Sequence, residues 1–136
     1  YPVKGYSITI HNPGVAPWTS LLDDQSKIVT ARLGKDRLRV AGTAEFNGYN
    51  TDIIQERIKP LTDWAIRMFP GISTEVVTPW AGLRPMMPNM MPVVNKSARS
   101  RRIYYNTGHG HLGWTLSAYT AQSIVQRIRG NNELKL

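Results

Sequence analysis

Between Ile103 and Gln126 the chain carries no Asp, Glu, Lys or Arg, the longest such interval in its 136 residues. A wholly apolar run of that length would cross a bilayer as a helix. Here Asn106, His109, His111 and Gln122 interrupt it and Gly108, Gly110 and Gly113 punctuate its first half, which argues against a transmembrane helix. The interval reads instead as protein interior: a short strand over Arg102–Asn106, a glycine-studded turn, and a helix from about Gly113 to Arg129 stopped by Gly130-Asn131. One strand and one nearly uncharged helix cannot bury their own apolar surface, so they need more sheet to dock on.

The preceding chain supplies a little of that sheet. Tyr6-Ser7-Ile8-Thr9-Ile10 alternates as a half-buried strand does, and His11-Asn12-Pro13-Gly14 closes it. Ile28–Leu33 and Arg37–Ala41 flank Gly34-Lys35-Asp36, which predicts a hairpin. Asn50-Thr51-Asp52 is suited to cap a helix from Ile53 toward Phe69, with Ile54, Ile58, Leu61, Ala65 and Met68 at helical spacing. Pro60 predicts a kink or a restart in that helix, and Pro70-Gly71 ends it. Thr74–Trp80 reads as a strand, and Met86–Pro92 as an irregular loop. The expected class is α+β, a mixed and largely antiparallel sheet with one covering helix, followed by a separate strand-turn-helix.

Size and a 41% hydrophobic content match one ordinary globular domain. With no cysteine, disulfide scaffolds, thiolate zinc sites and thiol nucleophiles are all excluded, and a reducing compartment is consistent. The formal charge of +8 raises nucleic acid, anionic membrane or an acidic ligand as partners without choosing among them. Tyr1-Pro2-Val3-Lys4-Gly5 has neither the form of a signal peptide nor an initiator methionine, so the chain is expected to begin within a longer protein.

Three segments carry residue types suited to chemistry. Arg84 is the only charged residue between Glu75 and Lys96. A guanidinium isolated among apolar residues calls for a carboxylate or phosphate ligand, or else for an internal salt bridge or a snorkelling side chain. In Thr107-Gly108-His109-Gly110-His111-Leu112-Gly113-Trp114-Thr115, glycines let backbone N–H groups approach a ligand at a helix N-terminus, unless they serve only a tight turn. The spacing is neither a dinucleotide fingerprint nor a P-loop, and His109 and His111 without a third ligand predict no metal. Lys96-Ser97-Ala98-Arg99-Ser100-Arg101-Arg102 is either an anion patch or, as the absence of interleaved aromatics favours, a solvated loop. Met86, Met87, Met90 and Met91 either line a pocket or pack. Neither Asp23-Asp24 nor Asp52 with Glu56 makes a convincing acid–base pair, and no Ser-His-Asp arrangement is legible. No residue is assigned as a catalytic acid or base.

Taken in order, Pro2-Val3-Lys4-Gly5-Tyr6-Ser7, Arg37-Leu38-Arg39-Val40-Ala41-Gly42-Thr43-Ala44-Glu45, Phe69-Pro70-Gly71, Trp80-Ala81-Gly82-Leu83-Arg84-Pro85 and Asn106–Thr115 resemble the C-terminal part of the FAD-dependent D-amino-acid oxidase family, most closely its bacterial D-amino-acid dehydrogenase branch. The resemblance implies that residues 1–100 belong to a substrate-binding region. It also implies that 101–136 are the closing strand and helix of an FAD-binding domain whose N-terminal dinucleotide-binding part is absent. It places the substrate carboxylate on Arg84 and the flavin pyrimidine edge on Gly108, His109, Gly110, His111, Leu112 and Gly113. The implied reaction is oxidation of a D-amino acid to a 2-oxo acid and ammonia by hydride transfer to FAD, with a membrane quinone as acceptor. A cytoplasmic enzyme, peripheral at the inner membrane face, is then expected, with no nucleic acid as partner. The chain alone is expected to be inactive and not to bind FAD tightly. The alternatives are a glycine or amine oxidase of the same fold that uses oxygen, or a freestanding module for anions or nucleic acid. The sequence departs from the family pattern at Ser26, where a tyrosine is usual. It departs again at Asn89-Met90, where Asp-Gly is usual; Asn89 suits a left-handed conformation better than Met90 does.

Overall fold

The computed structural model describes residues 1–130; Asn131, named above in the last helix stop, and the rest of the tail lie outside them. The described chain divides into two compact units, one of residues 4–83 and one of residues 84 onward together with 1–3. The expected division of roles fell at residue 100.

Residues 4–83 are built on a sheet of strands β1 (Pro2–His11), β2 (Leu22–Asp23), β3 (Ile28–Leu33), β4 (Arg37–Glu45) and β5 (Val77–Pro85), with a helix α1 (Gln55–Met68). The strand order is β2-β3-β4-β1-β5. β3 and β4 form the expected hairpin, Leu33 opposite Arg37, and Gly34 takes φ +73 in the turn, a conformation that costs glycine nothing. β1 differs from the half-buried expectation. It lies between two neighbours, and Val3 through Ile8 and Ile10 are buried, alternating faces included. Tyr6, Ile8, Ile10, Leu38 and Val40 pack with Ile58, Leu61, Trp64 and Ala65 of α1 into one core. Gly42 is required there, because a Cβ would sit 2.7 Å from Ile28 Cγ1 and 3.3 Å from the Lys27 carbonyl.

α1 runs unbroken through Pro60, so of the expected kink or restart the restart does not occur: the core contacts of Ile58, Leu61, Trp64 and Ala65 on either side hold the helix together although proline lacks one donor. The expected side-chain cap is also absent. Ile54 occupies the capping position, and the Asn50 side chain accepts instead from Asp52 N (2.8 Å) and Lys4 Nζ (3.1 Å). Lys4, fully buried, also donates to the Asp52 carbonyl at 3.0 Å and lies 3.6 Å from Glu45, whose carboxylate accepts the Tyr6 hydroxyl at 2.5 Å. Burial works against the Lys4 charge, but the Tyr6 and Glu45 interactions outweigh it and its pKa lies above the ordinary lysine value. The Tyr6 hydroxyl in turn holds the Glu45 carboxyl below the ordinary range. This network ties the loop before α1 to the sheet.

From residue 84 onward the elements are a two-stranded antiparallel sheet of β6 (Val93–Lys96) and β7 (Tyr104–Thr107), a 3-10 turn at Gly110–Leu112, and a helix α2 (Gly113–Ile128). β6 has no counterpart in the sequence reading, which had one strand here. Its presence turns the basic run into a hairpin connection, closed by Ser97 N donating to the Ile103 carbonyl at 2.9 Å. α2 is not the buried helix its lack of charge predicts. Only Thr120 and Ser123 are buried, and Trp114 is 94% exposed. Among the described residues no helix is long and apolar enough to cross a membrane.

Candidate functional site

Arg84 does not lie in a loop after a strand ending at Trp80; β5 continues through Pro85. Extended backbone through Trp80-Ala81-Gly82-Leu83-Arg84-Pro85 follows from the pleat, which puts Trp80, Gly82 and Arg84 on one face. The Trp80 ring occupies the space a Cβ on Gly82 would fill, which explains that glycine without a ligand. Arg84 is half-buried, and among the described residues no carboxylate pairs with it. An internal salt bridge, one of the two structural readings of this residue, is therefore not formed there.

Two residues beyond Arg84 the chain meets the glycine turn. Met86 forms an isolated antiparallel bridge with His109, and Tyr1 anchors the same spot, its N-terminus donating to the Met86 carbonyl at 2.7 Å and its carbonyl accepting from Met86 N at 3.0 Å. The turn is made by Gly108 at φ +78 and Gly110 at φ +55, left-handed positions that glycine fills without strain. Their open sides face methionine. A Cβ on Gly108 would lie 2.6 Å from Met87 Cγ, and one on Gly110 would collide with Met86 Sδ. Met86 and Met87 thus pack on the glycine backbone, while Met90 and Met91 are exposed. Met90, not Asn89, takes the left-handed conformation (φ +62); the Asn89 side chain accepts from Met91 N at 3.1 Å instead.

His109 is half-buried, with its ring 3.3 Å from Thr120 Oγ1, and His111 is exposed. Thr120 also donates back to the Leu116 carbonyl at 3.1 Å, so the imidazole and the threonine staple the turn to α2. Leu112 is the capping residue of α2 and Gly113 its first. No side chain caps this end, and its first turn holds no acidic residue. The N–H groups of an uncapped helix terminus form an electropositive donor set suited to an electron-rich oxygen or nitrogen. Among the described residues no three His, Cys, Asp or Glu side chains are grouped to hold a metal ion.

The remaining candidates lie elsewhere. Asp23 accepts the Trp64 indole N–H at 2.7 Å and the Gln25 and Ser26 backbone N–H groups, Asp24 pairs with Lys27, and Ser26 is exposed. Hydrogen bonds, that of Trp64 first, hold the Asp23 carboxyl down at about 2, the signature of a structural anchor rather than a proton carrier. The sequence reading missed this anchor. Arg99, Arg101 and Arg102 are exposed on the β6–β7 connection and form no ion pair among the described residues.

A family model described as FAD dependent oxidoreductase matches residues 1–127. A D-amino acid dehydrogenase 3 of Mesorhizobium japonicum is 67% identical over 130 residues, covering 92% of this chain and 31% of the relative. A D-amino acid dehydrogenase of Dechloromonas aromatica is 45% identical over 135 residues, covering 96% and 31%. The crystal structure of glycine oxidase from Bacillus cereus superposes with a TM-score of 0.84 at 24% identity, over all of this chain and 38% of that one; at that identity the likeness shows the fold. The chain therefore spans about a third of the length of the curated relatives it matches.

Proposed function

The chain belongs to the FAD dependent oxidoreductase family, and from that premise we propose that it is the C-terminal third of a D-amino-acid dehydrogenase. In this reading residues 1–100 serve the substrate and 101–136 close the FAD-binding domain, with the dinucleotide-binding part in the remaining two thirds. The observation that carries it is the bridge between Met86 and His109. It sets the end of β5, which bears an arginine without a carboxylate partner, beside a glycine turn that opens into an uncapped helix. An anion-gripping fork and a row of N–H donors are then neighbours in one compact unit. The exposed apolar residues of α2, among them Trp114, Val125 and Ile128, with Leu112 just before it, fit a helix whose cover lies in the rest of the enzyme.

FAD, when bound, supplies the acceptor for the hydride leaving the substrate Cα. The Arg84 guanidinium holds the substrate α-carboxylate with two parallel N–H···O bonds, which fixes the Cα–H direction. With FAD bound, the turn from Gly108 to Gly113 would hold the pyrimidine edge, and its free backbone N–H groups would stabilise negative charge there without a titrating side chain. The residues present fit that role at the start of α2, where no side chain caps the helix and the first turn holds no acidic residue, while the Leu112 N–H is already given to the His109 carbonyl at 3.0 Å. The released imino acid hydrolyses to the 2-oxo acid and ammonia.

In the full-length flavoenzyme under anaerobic conditions, D-alanine is expected to reduce an artificial dye with stoichiometric 2-oxo acid and ammonia, and with oxygen as sole acceptor to release little peroxide. Peroxide release as fast as dye reduction would assign oxygen as the acceptor, and inert D-amino acids would remove the reading. In this reading the acceptor is a membrane quinone. The chain has no acidic residue between Glu75 and Glu133, and Arg99, Arg101 and Arg102 stand exposed on one hairpin; these cations suit an anionic lipid surface. Flotation with phosphatidylglycerol vesicles is expected, and it should be lost on changing the three arginines to glutamine.

A further inference from the structure

The face of the sheet opposite α1 carries a second arginine with donors to spare. Strand alternation puts Leu38 and Val40 in the core and Arg39 on the other side. There its guanidinium lies 5.3 Å from the Trp80 ring centroid and one terminal nitrogen donates to Ser7 Oγ at 2.9 Å. The molecule contains its own control. Arg32 is likewise stacked, 4.5 Å from the Trp18 ring, but it spends Nε and both terminal nitrogens on the carbonyls of Gly34, Ala16 and Lys35. Among the described residues Arg39 has one acceptor, and no carboxylate there pairs with it. Its charged and titratable neighbours on this face are Arg37, which already has Asp36 at 3.9 Å, His11, opposite Arg37 and bonded to Thr78 Oγ1 at 3.1 Å, and, four residues beyond Trp80 along β5, Arg84. Ser7 is almost fully buried and Trp80 is 52% exposed. The fork is thus held in one orientation by a buried hydroxyl and an indole, and its free N–H edge is open.

A pre-oriented planar guanidinium without an anion is matched by a carboxylate, which accepts two parallel N–H bonds. We propose that Ser7, Arg39 and Trp80 form a carboxylate-binding shelf distinct from the α-carboxylate role given to Arg84. Two sources share that chemistry: the distal carboxylate of a dicarboxylic substrate, or an Asp or Glu side chain elsewhere in the longer protein. The first rests on the amino-acid dehydrogenase reading; the second does not.

The test uses the full-length enzyme with Arg39→Met and Arg39→Lys, the lysine variant keeping the stem and charge should methionine fail to fold. If the substrate supplies the carboxylate, kcat/KM for D-glutamate falls about 10- to 100-fold relative to D-alanine in Arg39→Met, with partial recovery in Arg39→Lys. If the protein supplies it, the ratio is unchanged, but the variants lower the urea midpoint at pH about 7 and the difference shrinks progressively as pH falls below about 4, through the lowered pKa of the paired carboxylate. A ratio unchanged together with a stability difference independent of pH overturns the proposal and leaves Arg39 a packing residue. The stability arm needs no turnover, so it stands even if D-amino acids prove inert.

Discussion

Replacing Arg84 with methionine in the full-length flavoenzyme is expected to lower kcat/KM for D-alanine by about 10²- to 10³-fold, two charge-assisted hydrogen bonds being lost at once. Stability should barely change, because Arg84 is half-buried and no carboxylate among the described residues is left unpaired by its removal. Arg84→Lys should recover only about a tenth of the loss in logarithmic terms to a third, since an ammonium offers a point charge in place of a fork. The loss should fall on both kcat and KM, because a substrate tethered less firmly also presents its Cα–H less well. Kinetics close to wild type would remove Arg84 from the site.

Trp64→Ala is expected to cost about 3–5 kcal/mol of stability, the range for deleting a large aromatic from a core that cannot collapse around the void. Trp64 is 2% exposed, meets Phe69 edge-on at 5.9 Å, and is tied by its indole N–H to Asp23. Trp64→Phe separates the two contributions. It keeps most of the ring but removes the strongest of the hydrogen bonds that hold the Asp23 carboxyl at about 2 against an ordinary 3.8. A depressed carboxylate pKa contributes stability that is complete above 3.8 and is lost as pH falls toward 2. The wild type should therefore lose stability across that window, and Trp64→Phe should show a shallower acid dependence there. Equal urea midpoints for Trp64→Ala and wild type, or parallel acid profiles for Trp64→Phe and wild type, would contradict this account.

Local signals served well where a local cause decides the structure. The β3–β4 hairpin was legible because Gly34 supplies the turn, and α1 because Ile58, Leu61 and Ala65 recur at helical spacing. Pro60 does not restart the helix: a missing donor is a local defect, whereas the core contacts on both sides of it come from the sheet. β6 was invisible because four residues beside Pro92 in a methionine-rich stretch carry too little periodicity. The two motifs that matter most for chemistry were visible as residue types, Arg84 by its isolation and Gly108 to Gly113 by their glycines. Nothing local said that Met86 would bridge His109, or that the methionines would fill the open sides of the glycines.

Arg39 shows the same boundary from the other side. Among seventeen basic residues its letter has nothing to distinguish it, and it became notable only when β4, β1 and β5 came together and brought Ser7 and Trp80 to it. The sequence by itself determined the turns, the helical stretches, the absence of thiol chemistry and the family. The tertiary structure alone decided which groups meet, which arginine keeps free donors, and that the uncharged last helix stands largely exposed in this chain. The reason is physical: turns and helices are closed by bonds between near neighbours, whereas sheet pairing and burial join residues separated by tens of positions, whose mutual placement no short stretch encodes.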